Sequence, residues 1–356
     1  MRIALDAVGG DFGLPPNIEG AIQAANAFGV ELLLAGPADK IRAELSARGI
    51  AEGDPRFEIV DAQQCVGMDE EPAAACRTKS NSSIMVAAKM AADGRAAGFV
   101  SAGNSGATMV AALMNFKRVP GVLRPAIACP IPTPKGVTVM LDAGANVDCK
   151  PWHLVQFAMM GALLARHVYG ISEPTVGLLS IGEEEGKGND LAKEAFPLLK
   201  SAGVNFYGCV EGRDVPAGKT DVVVCDGFVG NVLIKTMEGT AMAMMAQLKT
   251  ELMSSWRYRL PLIFLRGPFS RLKRKMSYDE YGGAPLVGVN GVAIVSHGSS
   301  NARAIANAIR VAAKIADAGL PAALKEVVAR TAAPEEKVPT WAPTPRRAPS
   351  RRRAFG

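Results

Sequence analysis

The sequence predicts an α/β fold: a mostly parallel sheet with helices on both faces. Three observations predict it. Apolar strand-like runs alternate with helix-like runs along the chain. Run after run ends in Gly followed or preceded by Asn, Asp, Ser or Lys. At 356 residues the chain can bury a large core, as one α/β domain or two lobes. Ligands of open α/β sheets bind outside the carboxyl ends of the strands, so these polar loops are where function is sought.

In chain order, residues 2–6 give the first strand, and Ala7-Val8-Gly9-Gly10-Asp11 follows it. A charge at Arg2, directly after Met1, argues against a signal peptide. A second strand ends at Val100. Ser101-Ala102-Gly103-Asn104-Ser105-Gly106-Ala107-Thr108 then leads into a helix-like run, residues 109–116. Free N–H groups at a helix start suit an anion, and glycine lets backbone approach it closely. Asn104 or Ser105 would also serve as a plain helix cap. Residues 137–142 precede Ala143-Gly144-Ala145-Asn146, and residues 175–181 precede a loop carrying Gly186-Lys187-Gly188-Asn189-Asp190. That loop is no P-loop: the spacing from Gly182 to Lys187 is wrong, and Gly188 stands where Ser or Thr is needed. Residues 221–225 precede Asp226-Gly227-Phe228-Val229-Gly230-Asn231, and residues 291–295 precede Ser296-His297-Gly298-Ser299-Ser300-Asn301.

The rhythm breaks over residues 237–276, which read as a protruding, amphipathic, basic helical segment of the catalytic domain at 1–330. Met237, Met242, Met244, Met245, Leu248, Leu252 and Met253 predict a long methionine-rich helix. The apolar Leu260, Leu262, Ile263, Phe264 and Leu265 then sit between Arg257 and Arg259 on one side and Arg266, Arg271, Lys273, Arg274 and Lys275 on the other. A dimer interface, an element lying on an anionic membrane and a docking site for an acidic protein all fit. Residues 331–356, rich in Pro and ending in Arg351-Arg352-Arg353 before Ala354, predict a disordered tail. Residues 249–276 carry +7 and residues 331–356 carry +4, which leaves the rest of the chain at −5 of the total +6. A nucleic-acid binder would spread a basic face over its fold, so no nucleic-acid partner is expected. The six cysteines form no C-x-x-C pair and have no nearby His at ligand spacing, so no metal site or disulfide framework is expected. No run of about 18 apolar residues predicts a membrane span.

Seven segments together resemble the PlsX family, bacterial phosphate acyltransferases that make acyl-phosphate from acyl-carrier protein. They are RIALDAVGGD, VSAGNSGATMVAAL, RVPGVLRPAIACPIPT, LDAGANVDCKP, VGLLSIGEEEGKGND, VEGRDVPAGKTDVVVCDGFVGNVLIKTMEG and YGGAPLVGVNGVAIVSHGSSNARAI. They stand in the family's order over residues 1 to about 315. Two departures stand out: Phe12-Gly13-Leu14 occupies the family's His-containing continuation, and GNSG replaces GNTG. The resemblance implies a fold like the isocitrate and isopropylmalate dehydrogenases. It implies a cytoplasmic homodimer at the inner face of the cell membrane, with acyl-carrier protein and inorganic phosphate as substrates. A membrane-bound glycerol-phosphate acyltransferase is the further partner it suggests.

For that reaction the protein must hold phosphate against a thioester carbonyl and stabilise an oxyanion. The need is for N–H, amide, hydroxyl and Lys donors, and for no cofactor. Asn104, Lys187, His297 and Asn231 are the catalytic candidates. Gly103, Ser105, Gly106, Asp142, Asn146, Asn189, Asp226, Lys235, Ser299 and Asn301 are the phosphate or substrate candidates. Asp6 joins the strand-end carboxylates that would orient donors, and Arg77 and Lys79 form a further basic candidate. Lys187 could instead pair with Glu183 to Glu185. His153 and His167 fall in a helix-like run after Pro151 and read as structural. A phosphotransacetylase using coenzyme A, a decarboxylating dehydrogenase and a non-enzymatic membrane scaffold are the competing readings.

Overall fold

Short apolar runs form most strands, and the buried ones at residues 2–6, 99–101, 222–224 and 293–295 lead into polar, glycine-containing loops. The computed structural model describes residues 1–254, 267, 278–280 and 282–331. The first half contains β1 (Arg2–Asp6), α1 (Leu14–Phe28), β2 (Glu31–Gly36), α2 (Ala38–Ala47), β3 (Phe57–Asp61), α3 (Pro72–Thr78), α4 (Ser83–Ala92), β4 (Phe99–Ser101), α5 (Ser105–Phe116), β5 (Ala126–Ile127), β6 (Cys129–Thr133), β7 (Gly136–Leu141) and α6 (Pro151–Tyr169). The second contains β8 (Thr175–Leu179), α7 (Asp190–Lys200), β9 (Asn205–Val210), α8 (Asp214–Ala217), β10 (Val222–Val224), α9 (Gly227–Met253), β11 (Ala284–Val287), β12 (Ala293–Val295), α10 (Ala302–Asp317) and α11 (Leu320–Arg330).

The strands form two sheets. One has the order β3-β2-β1-β4-β12-β11-β5 and the other β6-β7-β10-β8-β9. Both are mostly parallel. The antiparallel pairs are β11 with β12, β11 with β5, and β6 with β7. The chain first crosses between the sheets at Ala128, whose N–H donates to Pro285 O at 2.9 Å, and returns to the first sheet between β10 and β11. One apolar cluster joins them, running from Ile3, Leu5 and Ile18 through Ile305 and Ile309 to Leu141, Phe157 and Val224. Two smaller clusters complete the interior, one under α4 and α5 and one under the start of α9.

Helix α9 begins at Gly227, three residues before the Gly230 end from which the spacing of Asn231 and Lys235 predicts one helix face, and runs on through the methionine-rich stretch. Leu233, Ile234 and Met237 pack against Ile131, Met140 and Val223. From Thr240 onward no residue of the helix is buried, and Met242, Met244, Leu248 and Met253 are exposed. The proposed partner residues Leu260, Leu262, Ile263, Phe264, Leu265 and Arg266 lie outside the described residues, as does the expected tail beyond Thr331.

Candidate active site

The two sheets meet at Asp142, the residue after β7. Its Oδ1 accepts the Ile127 N–H from β5 of the other sheet at 3.0 Å, and those of Gly144 and Ala145 at 3.3 and 3.1 Å. Its Oδ2 accepts the Asn146 N–H at 2.6 Å and the Asn146 side-chain amide at 2.9 Å. Asn146 Nδ2 also donates to Pro125 O at 2.8 Å. Burial raises the Asp142 carboxyl above its ordinary range, and these hydrogen bonds oppose that rise. Asp142 and Asn146 therefore shape the 143–146 loop rather than project into solvent.

That loop seats the start of α9. Asp226 caps the helix through its Oδ1, which accepts the Val229 N–H at 2.9 Å. The Gly227 N–H donates to Asn146 O at 2.8 Å. A Cβ on Gly227 would stand 2.7 Å from Asn146 O, and one on Gly230 would collide with the Asp142 carbonyl. Only glycine at these two places lets the helix approach so closely. Asn231 follows at once, with its Cβ 3.5 Å from the Cβ position of Gly144. One turn on, Lys235 Nζ lies 3.2 Å from His297 Nε2 and 3.2 Å from Glu238 Oε2. His297 follows β12 of the other sheet, so this contact bridges the two. An ammonium only donates, so Nε2 faces Lys235 as an acceptor, while Nδ1 accepts the Ser299 N–H at 3.2 Å and lies 2.8 Å from Ser299 Oγ.

Beside His297 lie the loops after β1 and β4. Ser296 N donates to Ser101 O, and Asp11 N donates to Gly298 O, both at 2.8 Å. Ser101 Oγ donates to buried Asp6 Oδ2 at 2.8 Å and accepts the Gly103 N–H at 3.0 Å. Burial pushes the Asp6 carboxyl above its ordinary range, opposed by the Ser101 hydrogen bond and by the nearby Ser83 hydroxyl and Val8 and Gly9 N–H groups. Asn104 caps α5: its Oδ1 accepts the Ala107 N–H at 3.1 Å, and its Nδ2 donates to Met68 O and Glu70 O at 3.0 and 3.2 Å. The Asn104 amide and the Gly103 N–H are thus engaged inside the protein. Ser105, exposed at the first position of α5, and Gly106 remain at the helix start.

The other candidates lie in the neighbouring loops and helix starts. Lys187 is exposed after β8, and no hydrogen bond or ion pair among the described residues ties its Nζ to the rest. Glu183, its expected alternative partner, instead pairs with Lys219 at 2.6 Å. Asn189 caps α7 through Ala192 N, and Asn301 caps α10 through Ala304 N while donating to Asp279 Oδ2. Lys79 pairs with Glu70 at 2.5 Å and donates to Cys65 O; Arg77 is exposed nearby. His153 caps α6, its Nδ1 accepting the Lys150 N–H. Burial raises all six thiols, Cys129 and Cys149 to about 12.

Two contributors escaped the sequence reading. Asn17 Nδ2 donates to Ala7 O, Gly9 O and Gly13 O and so holds the first loop. Its signal was a lone polar residue on the buried side of α1. Arg124 is close enough to Cys149 for its charge to lower that thiol against the burial effect. It lay unremarked in RVPGVLRP, where nothing local distinguishes it from a solvated cation.

A family model described as "Fatty acid synthesis protein" matches residues 1–323. The chain is 50% identical over 329 residues to a protein of Elusimicrobium minutum named phosphate acyltransferase, covering 92% of this chain and 96% of that one. It is 48% identical over 320 residues to a phosphate acyltransferase of Pelobacter propionicus, covering 90% and 92%. Among solved structures it is similar to a phosphotransacetylase from Streptococcus pyogenes, with a TM-score of 0.58 at 16% identity over 89% of this chain and 94% of that one. A branched-chain phosphotransacylase from Enterococcus faecalis matches at a TM-score of 0.51 and 14% identity, over 88% and 98%. At those identities the structures speak for the fold alone.

Proposed function

The chain belongs to the fatty acid synthesis protein family, a family of acyltransferases, and from that premise we propose that it makes acyl-phosphate from a fatty acyl-acyl-carrier protein and inorganic phosphate, for phospholipid synthesis. The observation that carries this reading is the Lys235–His297 contact. It sets a cation, an imidazole and, one turn away, the Asn231 amide where polar loops of both sheets converge.

Phosphate attacks the thioester carbonyl directly. One oxygen of HPO₄²⁻ forms the C–O bond, the carbonyl becomes a tetrahedral oxyanion, and its collapse breaks the C–S bond. The proton of the phosphate ends on the departing sulfur, giving acyl-phosphate dianion and thiol. Lys235 and Lys187 balance the charge of phosphate and oxyanion, Asn231 donates to the oxyanion, and His297 with Ser299 carries the proton. Ser105 and Gly106 offer the start of α5 to phosphate. Asp142, Asn146 and Asp226 hold α9 in register, and Asp6, Gly103 and Asn104 hold the opposite loop. Asn189 and Asn301 fix the flanking helix starts. No step asks for a metal or a cysteine nucleophile, and thiols raised toward 12 are poor nucleophiles at neutral pH.

Residues 1–330 act as the catalytic unit. The exposed methionines late in α9 support a homodimer contact there. The apolar residues 260–265, flanked by cations, support attachment to the inner face of the cell membrane from the cytoplasm, where a membrane-bound glycerol-phosphate acyltransferase would take the product. No described helix is long and apolar enough to cross a membrane. The test is purified full-length protein with palmitoyl-acyl-carrier protein and phosphate, with acyl-phosphate trapped by hydroxylamine. The reading expects product without added nicotinamide cofactor. Product from acyl-coenzyme A alone would favour a phosphotransacetylase and overturn it.

A further inference from the structure

Phe228 is 61% exposed although it lies in the first turn of a helix whose start is tightly seated. Phe228, Asn231 and Lys235 recur at i, i+3 and i+7, which places them on one face of α9. Leu233, Ile234 and Met237 occupy the packed face, so the aromatic ring is not turned toward the core. Lys235 Nζ, at the far end of the Phe228 face, lies 3.2 Å from His297 Nε2. Seven residues of helix separate the ring from that contact, about 10 Å along the axis. The loop that carries His297 also meets another exposed apolar group: Met68 Cε is 2.8 Å from the Cβ position of Gly298, and Met68 is 45% exposed.

We propose that this face of α9 is the acyl-chain track of the site. The carbonyl end sits between Lys235 and Met68, and the chain runs along the helix past Asn231 to Phe228. The inference rests on the acyl-transfer reading above and adds the path and the residue that measures length. An exposed aromatic ring aligned with a row of polar donors suits a ligand that is polar at one end and apolar along its length. The geometry makes a specific demand. A butyryl chain held at Lys235 ends short of Phe228, whereas a palmitoyl chain passes it.

The experiment compares kcat/KM for palmitoyl- and butyryl-acyl-carrier protein in wild type, Phe228→Leu and Phe228→Ser, with circular dichroism and sedimentation on each. Loss of the ring is expected to lower the palmitoyl-to-butyryl ratio about tenfold in Phe228→Ser, the scale of a lost apolar contact in a binding pocket. Phe228→Leu, which keeps apolar bulk without risk to the fold, is expected to lie between the two. A ratio within twofold of wild type in both variants overturns the track. So does an unchanged ratio accompanied by loss of a dimer, because a second copy of the chain then covers the ring. Failure of the acyl-transfer reading shows separately, as wild type that forms no acyl-phosphate from either thioester.

Discussion

Gly230→Ala tests how closely function depends on the seating of α9. An added Cβ would overlap the Asp142 carbonyl oxygen and stand 3.1 Å from both the Asp142 carbonyl carbon and Cys225 Sγ. Non-bonded contacts prefer about 3.5–4.0 Å, so the overlap with the carbonyl oxygen forces the helix start to retreat by about 1.5 Å. Overpacking of this kind costs about 1–3 kcal/mol. Alanine's better helix propensity returns about 1 kcal/mol, leaving a net loss of about 2 kcal/mol at most. The same retreat moves Asn231 and Lys235 away from Gly144 and His297. A displacement of about 1 Å at reacting groups costs on the order of 100-fold in rate. Gly239→Ala is the control on the same helix, because nothing lies within 4 Å of its Cβ position. It is expected to stabilise by about 0.5–1 kcal/mol with unchanged rate. The assays are acyl-phosphate formation and urea denaturation. A folded Gly230→Ala protein with activity within a few-fold of wild type would refute the reasoning.

Three further outcomes follow from the same geometry. Asn104→Ala removes a cap and two side-chain hydrogen bonds and should lower stability by about 1–2 kcal/mol in denaturation, whereas Lys187→Ala should lower activity about 10²-fold with unchanged stability; equal stability losses would contradict the placement. Burial raises Asp6 from its ordinary 3.8, so its ionisation opposes folding: its contribution is most favourable below pH 3.8 and is lost as pH rises through the raised value. Asp6→Asn, which keeps an acceptor for Ser101, should therefore gain stability over wild type at pH 7, and the gain should fade on acidification toward 3.8; a gain that grows on acidification would reverse the sign. Ile263→Glu combined with Phe264→Glu should release the protein from anionic vesicles in flotation, while wild-type binding weakens only partly in high salt, each nearby cation contributing roughly 1 kcal/mol; unchanged flotation would remove the membrane role from 260–266.

Much of the fold was legible because parallel strands buried on both faces read as apolar runs, and their polar carboxyl-end loops stand out beside them. Asn231 and Lys235 could be assigned to one helix face from their spacing alone, and His297 to a strand end. Their meeting could not be read, because it depends on two sheets joined at Ala128 and on how Gly230 seats α9. Local sequence also cannot separate a donor facing a ligand from one facing backbone. Asn104 and Lys187 have equally suggestive neighbours, yet Asn104 is engaged by Ala107, Met68 and Glu70 while Lys187 stands exposed. Gly227 and Gly230 at the start of α9 are locally ambiguous for a related reason. Glycine suggests a break locally, but here it permits tertiary contact with Asp142 and Asn146.

The central claim is direct attack by phosphate at the site joined by Lys235 and His297. Its most direct test is thiol release from acyl-carrier-protein thioester mixed with a stoichiometric amount of enzyme before any phosphate is added. An acyl-enzyme route releases one thiol per site at that stage, whichever residue is acylated. Direct attack releases none, because the nucleophile is absent. The account predicts no thiol until phosphate enters, and then one acyl-phosphate for each thiol formed. A burst of one thiol per chain without phosphate, with the acyl group retained on the protein, would contradict it.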